Sequence, residues 1–139
     1  MRNHKNKLIA AAIMLGVIGW GFGLYKLNHP APDPVAMSDS TSTISTAISE
    51  VAAGKATLID VRTPAEYAAG HAKGAINFDS VNVQAGQLPN MSKSTKVYVY
   101  CHSGSRAAIV QPIMQQAGFT DVTSLGALQS WYDAGGPKA

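Results

Sequence analysis

The sequence has a single cysteine, Cys101, in 139 residues. That excludes an intramolecular disulfide and any cysteine-rich metal site. Histidine is scarce as well: His4, His29, His71 and His102 show no ligand spacing, so no metal is expected. Charged residues make up 14% of the chain, and the basic surplus is local, with Arg2, Lys5, Lys7 and Lys26 at the N-terminus. From residue 42 onward seven Lys and Arg (positions 55, 62, 73, 93, 96, 106 and 138) face six Asp and Glu (positions 50, 60, 66, 79, 121 and 133), a difference of one charge. So even a balance gives no electrostatic case for binding nucleic acid.

One long apolar run stands out. Residues 8–25 contain no charge. At about 1.5 Å per residue they reach about 27 Å, close to a hydrocarbon core of about 30 Å. Arg2, Lys5 and Lys7 precede the run and Lys26 follows it. The excess of cations before it puts the N-terminus in the cytoplasm and the bulk of the chain on the periplasmic or other extracytoplasmic side. The expectation is a basic flank over residues 1–7 and a transmembrane helix anchoring the chain over residues 8–26. The competing reading is a cleaved secretory signal that releases a soluble domain. It is disfavoured because Pro34-Val35-Ala36 puts proline where a small-x-small site wants a small residue. Residues 27–42, with Pro30, Pro32 and Pro34 followed by Ser, Thr and Asp, lack apolar surface and read as a linker. Residues 43–137 remain, about one domain.

In that domain Ile44, Ala47, Ile48, Val51 and Ala52 form a helical stripe that Gly54 can close. Residues 56–61 read as a short buried strand. Thr63-Pro64-Ala65-Glu66 starts a helix: threonine as N-cap, proline at the first position, and glutamate three residues on to complete a capping box. Strands are then expected at residues 75–78, 96–100 and 121–125, with helices at 81–88, 106–117 and 128–134. Pro112 lies inside the 106–117 helix, where a kink is expected. Alternating strands and helices indicate an α/β fold with a small, mainly parallel sheet covered by helices on both faces. In such sheets sites lie at the carboxyl ends of strands. Cys101 stands at such an end. The residues after it are small, with Gly104 among them, and Arg106 opens a helix. Backbone N–H groups and the helix N-terminus there would stabilise a thiolate.

These segments together resemble the single-domain rhodaneses, the sulfurtransferase family. Residues 58–67, Leu-Ile-Asp-Val-Arg-Thr-Pro-Ala-Glu-Tyr, resemble the family's first signature, and Gly70-His71-Ala72-Lys73-Gly74-Ala75-Ile76-Asn77 its continuation. Cys101-His102-Ser103-Gly104-Ser105-Arg106 is similar to the six-residue active loop, and Trp131 to a later feature. The chain departs from the pattern at Asp79, where a proline is usual, at Gly126-Ala127 in place of Gly-Gly, and at Ala107 in place of serine.

The resemblance implies a transfer of sulfane sulfur from thiosulfate or a persulfide, through a persulfide on Cys101, to a thiophilic acceptor such as cyanide. No cofactor beyond that covalent intermediate is implied. His102, Ser103, Gly104, Ser105 and Arg106 are the expected substrate-binding residues, with Arg106 as a fork for an oxyanion. His102 is read as an exposed loop residue rather than a general base. Asp60 and Arg62 are expected supports, with Arg62 facing the site as the alternative. Glu66 is expected as a capping residue, His71 as a turn residue and Trp131 as core. A cysteine phosphatase or arsenate reductase of related fold is disfavoured, because those loops place five residues between cysteine and arginine and this one places four. A tethered persulfide carrier, or a binding module without turnover, is the alternative from another class.

Overall fold

The computed structural model of the protein describes residues 36–139. The expected transmembrane segment, residues 8–26, and the first part of the expected linker lie outside the described residues. Among the described residues no helix is long and apolar enough to cross a membrane.

The elements run α1 (Ala36–Ala52), β1 (Thr57–Asp60), α2 (Pro64–Ala68), β2 (Ala75–Asn77), α3 (Ser80–Gln84), β3 (Val97–Cys101), α4 (Ser105–Gln116), β4 (Val122–Ala127) and α5 (Leu128–Asp133). The four strands form one sheet in the order β2-β1-β3-β4, and every neighbouring pair is parallel. The fold is α/β, a parallel sheet flanked by helices.

β3 shows why both faces of the sheet must be covered. Side chains alternate along a strand. Val97, Val99 and Cys101 join a cluster with Val110 and Met114 of α4, and Tyr98 and Tyr100 join another with Ile44 and Ala47 of α1 and Trp131 of α5. All five β3 residues are buried. A strand buried on both faces reads as one continuous apolar run, as residues 97–101 do.

Two local features differ from what the pattern alone indicates. Helix α1 begins at Ala36, inside the stretch read as linker. The apolar stripe starts only at Ile44, and the described positions before it, residues 40–43, are exposed or half-buried, so no periodicity marked them. The short third helix starts at Ser80, and Asp79 is its N-cap, its carboxylate accepting the Val81 N–H at 3.0 Å. Asp79 therefore has a job that the usual proline would not do. Helix α4 spans Ser105–Gln116 with Pro112 inside it, as expected from the sequence. Pro112 and Ala108, four residues before it, are both exposed, so water can solvate the carbonyl that the proline leaves unpaired.

The sheet carries one irregularity. Val99 pairs with Ser124 and Tyr100 with Gly126, so Leu125 is an extra residue in β4. The bulge brings Gly126 against the loop that follows β3.

Candidate active site

β3 delivers Cys101 to the carboxyl end of the sheet, fully buried and paired in register with Ala127. The chain then turns sharply. Gly104 is the N-cap of α4 in a left-handed conformation, φ 98°, which glycine adopts without steric cost. Its N–H donates to the Cys101 Sγ at 3.0 Å. Its carbonyl accepts the Ala108 N–H at 3.0 Å, which begins the helix. A Cβ at residue 104 would lie 3.2 Å from the Cα of Gly126, so strained backbone and close packing both require glycine here.

Around this turn His102, Ser103 and Ser105 are exposed, and Gly104 and Arg106 are half-buried. The Ser103 and Ser105 hydroxyls share a hydrogen bond of 3.3 Å. The structure thus gathers all six expected loop residues on one turn, with His102 facing solvent.

Arg106 has a partner that local spacing did not indicate. Its Nη1 and Nη2 donate to Glu66 Oε2 and Oε1, each at 2.8 Å. Glu66 is also the expected capping residue. The Thr63 N–H donates to Glu66 Oε2 at 3.0 Å, and the Glu66 N–H donates to Thr63 Oγ1 at 3.3 Å. The two arms of Arg106 and the Thr63 N–H hold the Glu66 carboxyl far below the usual carboxylate range. Arg106 is raised in turn, by Glu66 first and by Cys101 as a lesser cause. A helix cap and the end of the active loop are therefore one linked unit, joined across 40 residues of sequence.

Asp60 and Arg62, expected as supports, pair with each other. Asp60 is fully buried and Arg62 is 5% exposed. The Arg62 Nε lies 3.0 Å from both Asp60 oxygens, and Nη2 donates to Oδ2 at 2.7 Å and to the Gly70 carbonyl at 2.7 Å. The Arg62 N–H donates to Oδ1 at 2.9 Å. Arg62 is thus committed to Asp60 and Gly70.

Two residues of this cluster were missed. Tyr100 pairs with Asp60 in register; its hydroxyl donates to Oδ2 at 2.7 Å and accepts the Ala72 N–H at 3.0 Å. Asn77 Nδ2 donates to the carbonyls of Asp60 at 3.0 Å and Arg62 at 2.9 Å. Burial pushes the Tyr100 hydroxyl well above the ordinary phenol range, so it stays a donor. Strand alternation turns Tyr100 away from the Cys101 face, and the pairing of β3 with β1, which no local pattern marks, brings its hydroxyl to Asp60.

A cysteine on a strand end, an N–H aimed at its sulfur and an arginine in the first turn of the next helix thus stand together at the carboxyl end of the sheet. Residues 43–134 match the model of the rhodanese-like domain. The chain belongs to the rhodanese-like family. It is 33% identical over 91 residues to thiosulfate sulfurtransferase 16, chloroplastic, of Arabidopsis thaliana, covering 57% of this chain and 76% of that protein. It is 34% identical over 77 residues to the thiosulfate sulfurtransferase GlpE of Pseudomonas fluorescens, covering 55% and 70%. Among solved structures, the rhodanese-like domain of the Alr3790 protein from Anabaena superposes with a TM-score of 0.56 at 29% identity, over 60% of this chain and 98% of that one.

Proposed function

We propose that this rhodanese-like protein is a sulfurtransferase that carries sulfane sulfur on Cys101. The observation that carries the reading is the Gly104 N–H aimed at Sγ from 3.0 Å at the start of a 12-residue helix, an arrangement that favours an anion on the sulfur. The Cys101 thiolate attacks the outer sulfur of thiosulfate. A new S–S bond forms as the S–S bond of thiosulfate breaks, and sulfite leaves with the electron pair. A thiophilic acceptor then takes the outer sulfur and returns Cys101 to a thiolate. The relatives named thiosulfate sulfurtransferase support thiosulfate as the donor. The loop N–H groups and the Ser103 and Ser105 hydroxyls receive the oxyanion end. Glu66 occupies two N–H donors of Arg106, so Arg106 sets the loop's position and offers the anion only the remaining part of its fork. The chemistry needs no cofactor, because the thiol itself carries the group.

The test is intact-mass spectrometry after thiosulfate treatment. Cys101 should gain one sulfur atom and lose it on addition of cyanide, with thiocyanate released. A Cys101→Ser protein should show neither event. Thiocyanate production by Cys101→Ser at the wild-type rate would overturn the reading, and a wild-type protein that gains no sulfur would leave a binding module.

The same reading places the domain on the extracytoplasmic side, held by residues 8–26. It rests on the uncharged run and its flanking cations. Full-length protein that stays in the soluble fraction with its N-terminus intact would remove the anchor from the proposal.

A further inference from the structure

At the amino-terminal end of the sheet, away from Cys101, lies a cavity of about 360 Å³. Ile48, Val51 and Ala52 form one wall; spaced three and four residues apart, they share a face in the last turns of α1. Trp131 of α5, itself buried, forms a second wall. Lys73 and Gly74, just before β2, and Pro137 complete the lining. No residue of the 101–106 loop takes part. Residues 136–139 run beside the cavity as a strap. The Lys73 N–H and the Trp131 Nε1–H both donate to the Pro137 carbonyl, at 2.9 and 3.1 Å. The Ala139 N–H donates to the His71 carbonyl at 2.9 Å. A Cβ at residue 136 would overlap the Trp131 indole, so only glycine lets the strap lie this close. These bonds fix the backbone of Lys73 at the rim, while its side chain stays exposed.

The volume falls within the range of small-ligand sites, about 300–1,000 Å³, and is more than twice the roughly 150 Å³ that admits benzene. Of the seven lining residues five are apolar, and Lys73 alone is charged. No acid lines the cavity, and among the described residues the Lys73 ammonium makes no ion pair. A phosphate or sulfate would meet one flexible cation and little else, and a neutral apolar molecule would leave that cation unused. A single negative charge on an apolar body uses both.

We propose that this cavity binds a small amphipathic carboxylate, its acyl or aryl body between α1 and Trp131 and its carboxylate on Lys73. The site is separate from the chemistry at Cys101 and does not rest on the sulfurtransferase reading. Burial of the apolar body supplies the affinity, and the lysine selects for the charge. A bound ligand also bears on the strap, because Lys73 and Pro137 both line the cavity and bond to each other. Filling the cavity therefore makes the bonded amides of Lys73 and Ala139 harder to open.

Hydrogen exchange of the full-length protein in phosphatidylcholine bilayers tests the proposal, with 4-phenylbutyrate as the probe and concentrations taken as those free in water. Exchange at Lys73 and Ala139 should slow as the probe is added, and exchange at residues 101–106 should not change. The alcohol 4-phenylbutanol, which has the same body without the charge, should need about fivefold more for half the effect, the worth of one exposed ion pair. Lys73→Gln should bring the acid to the level of the alcohol. Ala52 is exposed on α1, so Ala52→Leu fills the cavity from the helix surface and should abolish the effect of both probes. Neither variant should alter sulfur loading at Cys101. No protection by the acid, equal potency of acid and alcohol on the wild-type protein, or a full effect in Ala52→Leu would each overturn the proposal. Exchange that is slow from the start and unresponsive to the probe would mean that the chain's own apolar run fills the cavity, and overturns it as well.

Discussion

The ends of β1 and β3 are hydrogen-bonded neighbours, yet the chain treats them in opposite ways. At the end of β1, Asp60, Arg62, Tyr100 and Asn77 are tied to one another and to the backbone, and the charged pair is sealed from water. At the end of β3, one N–H reaches the sulfur, and His102, Ser103 and Ser105 turn outward. A closed polar cluster fixes geometry, because each member would be left buried and unpaired if its partner moved. A loop with donors facing outward is available to a ligand. The first holds the sheet end still so that the second can be shaped for chemistry.

The sharpest way to break this contrast is to remove the centre of the closed cluster. Asp60→Ala leaves the Arg62 guanidinium buried beside a lost carboxylate and the Tyr100 hydroxyl without its acceptor. Breaking one side of a buried pair costs about 3–5 kcal/mol, and for a domain of this size each kcal/mol lowers Tm by about 4–8 °C. Urea and thermal unfolding should show a loss of that size, and the remaining folded fraction should still take up sulfur. A stable Asp60→Ala protein that fails to load sulfur would mean that the β1 cluster belongs to the chemistry.

Gly104→Ala acts on the open side and should be milder for stability. A methyl group at φ 98° costs about 1–2 kcal/mol, and it meets Gly126 at 3.2 Å. The turn must shift to relieve both, and the N–H that points at Sγ shifts with it. Sulfur loading from thiosulfate should fall by more than tenfold in kcat/KM, while the urea midpoint moves only modestly. Unchanged loading would show that the 3.0 Å N–H contact is incidental.

What could be read from residues follows the range of each interaction. The capping box of Thr63 and Glu66 spans three positions, and the turn of residues 101–106 spans six, so both were legible as patterns. The second duty of Glu66 was not, because Arg106 lies 40 residues away and only the fold brings the two together. Tyr100 read as one more core aromatic, since its hydroxyl partners lie on β1 and before β2. The bulge at Leu125 depends on how β4 pairs with β3, and strand pairing leaves no local trace in a sequence.

Glu66→Gln tests the bridge between the two regions with a smaller effect. The Arg106 pair is about one-third exposed on each side, and such pairs contribute about 0.2–1 kcal/mol. The substitution should lower stability by no more than about 1 kcal/mol and alter sulfur loading mainly through KM, as Arg106 is released toward the anion. The pH dependence has a definite sign. A folded carboxyl held below its ordinary value of 4.5 contributes stability that is fully present above that pH and is lost as pH falls below it. Between pH 7 and pH 5 the difference between wild type and Glu66→Gln should therefore be constant, and it should shrink below about pH 4.5. A difference that grows on acidification would contradict the assigned ion pair.

The smallest effect is expected at Pro112, on the helix that carries the loop but on its solvent side. A proline inside a helix costs about 3 kcal/mol when its missing hydrogen bond is uncompensated. Here water can reach the orphaned Ala108 carbonyl, and α4 stays continuous, so only part of that cost remains. Pro112→Ala should raise stability by about 1 kcal/mol in urea unfolding and leave sulfur loading unchanged. Ala107, Val110 and Met114 set the position of α4 against the sheet, and Pro112 is not among them. If Pro112→Ala also changed the loading rate, the helix would be bent in a way that shapes the loop, and the active turn would depend on more of α4 than its first residues.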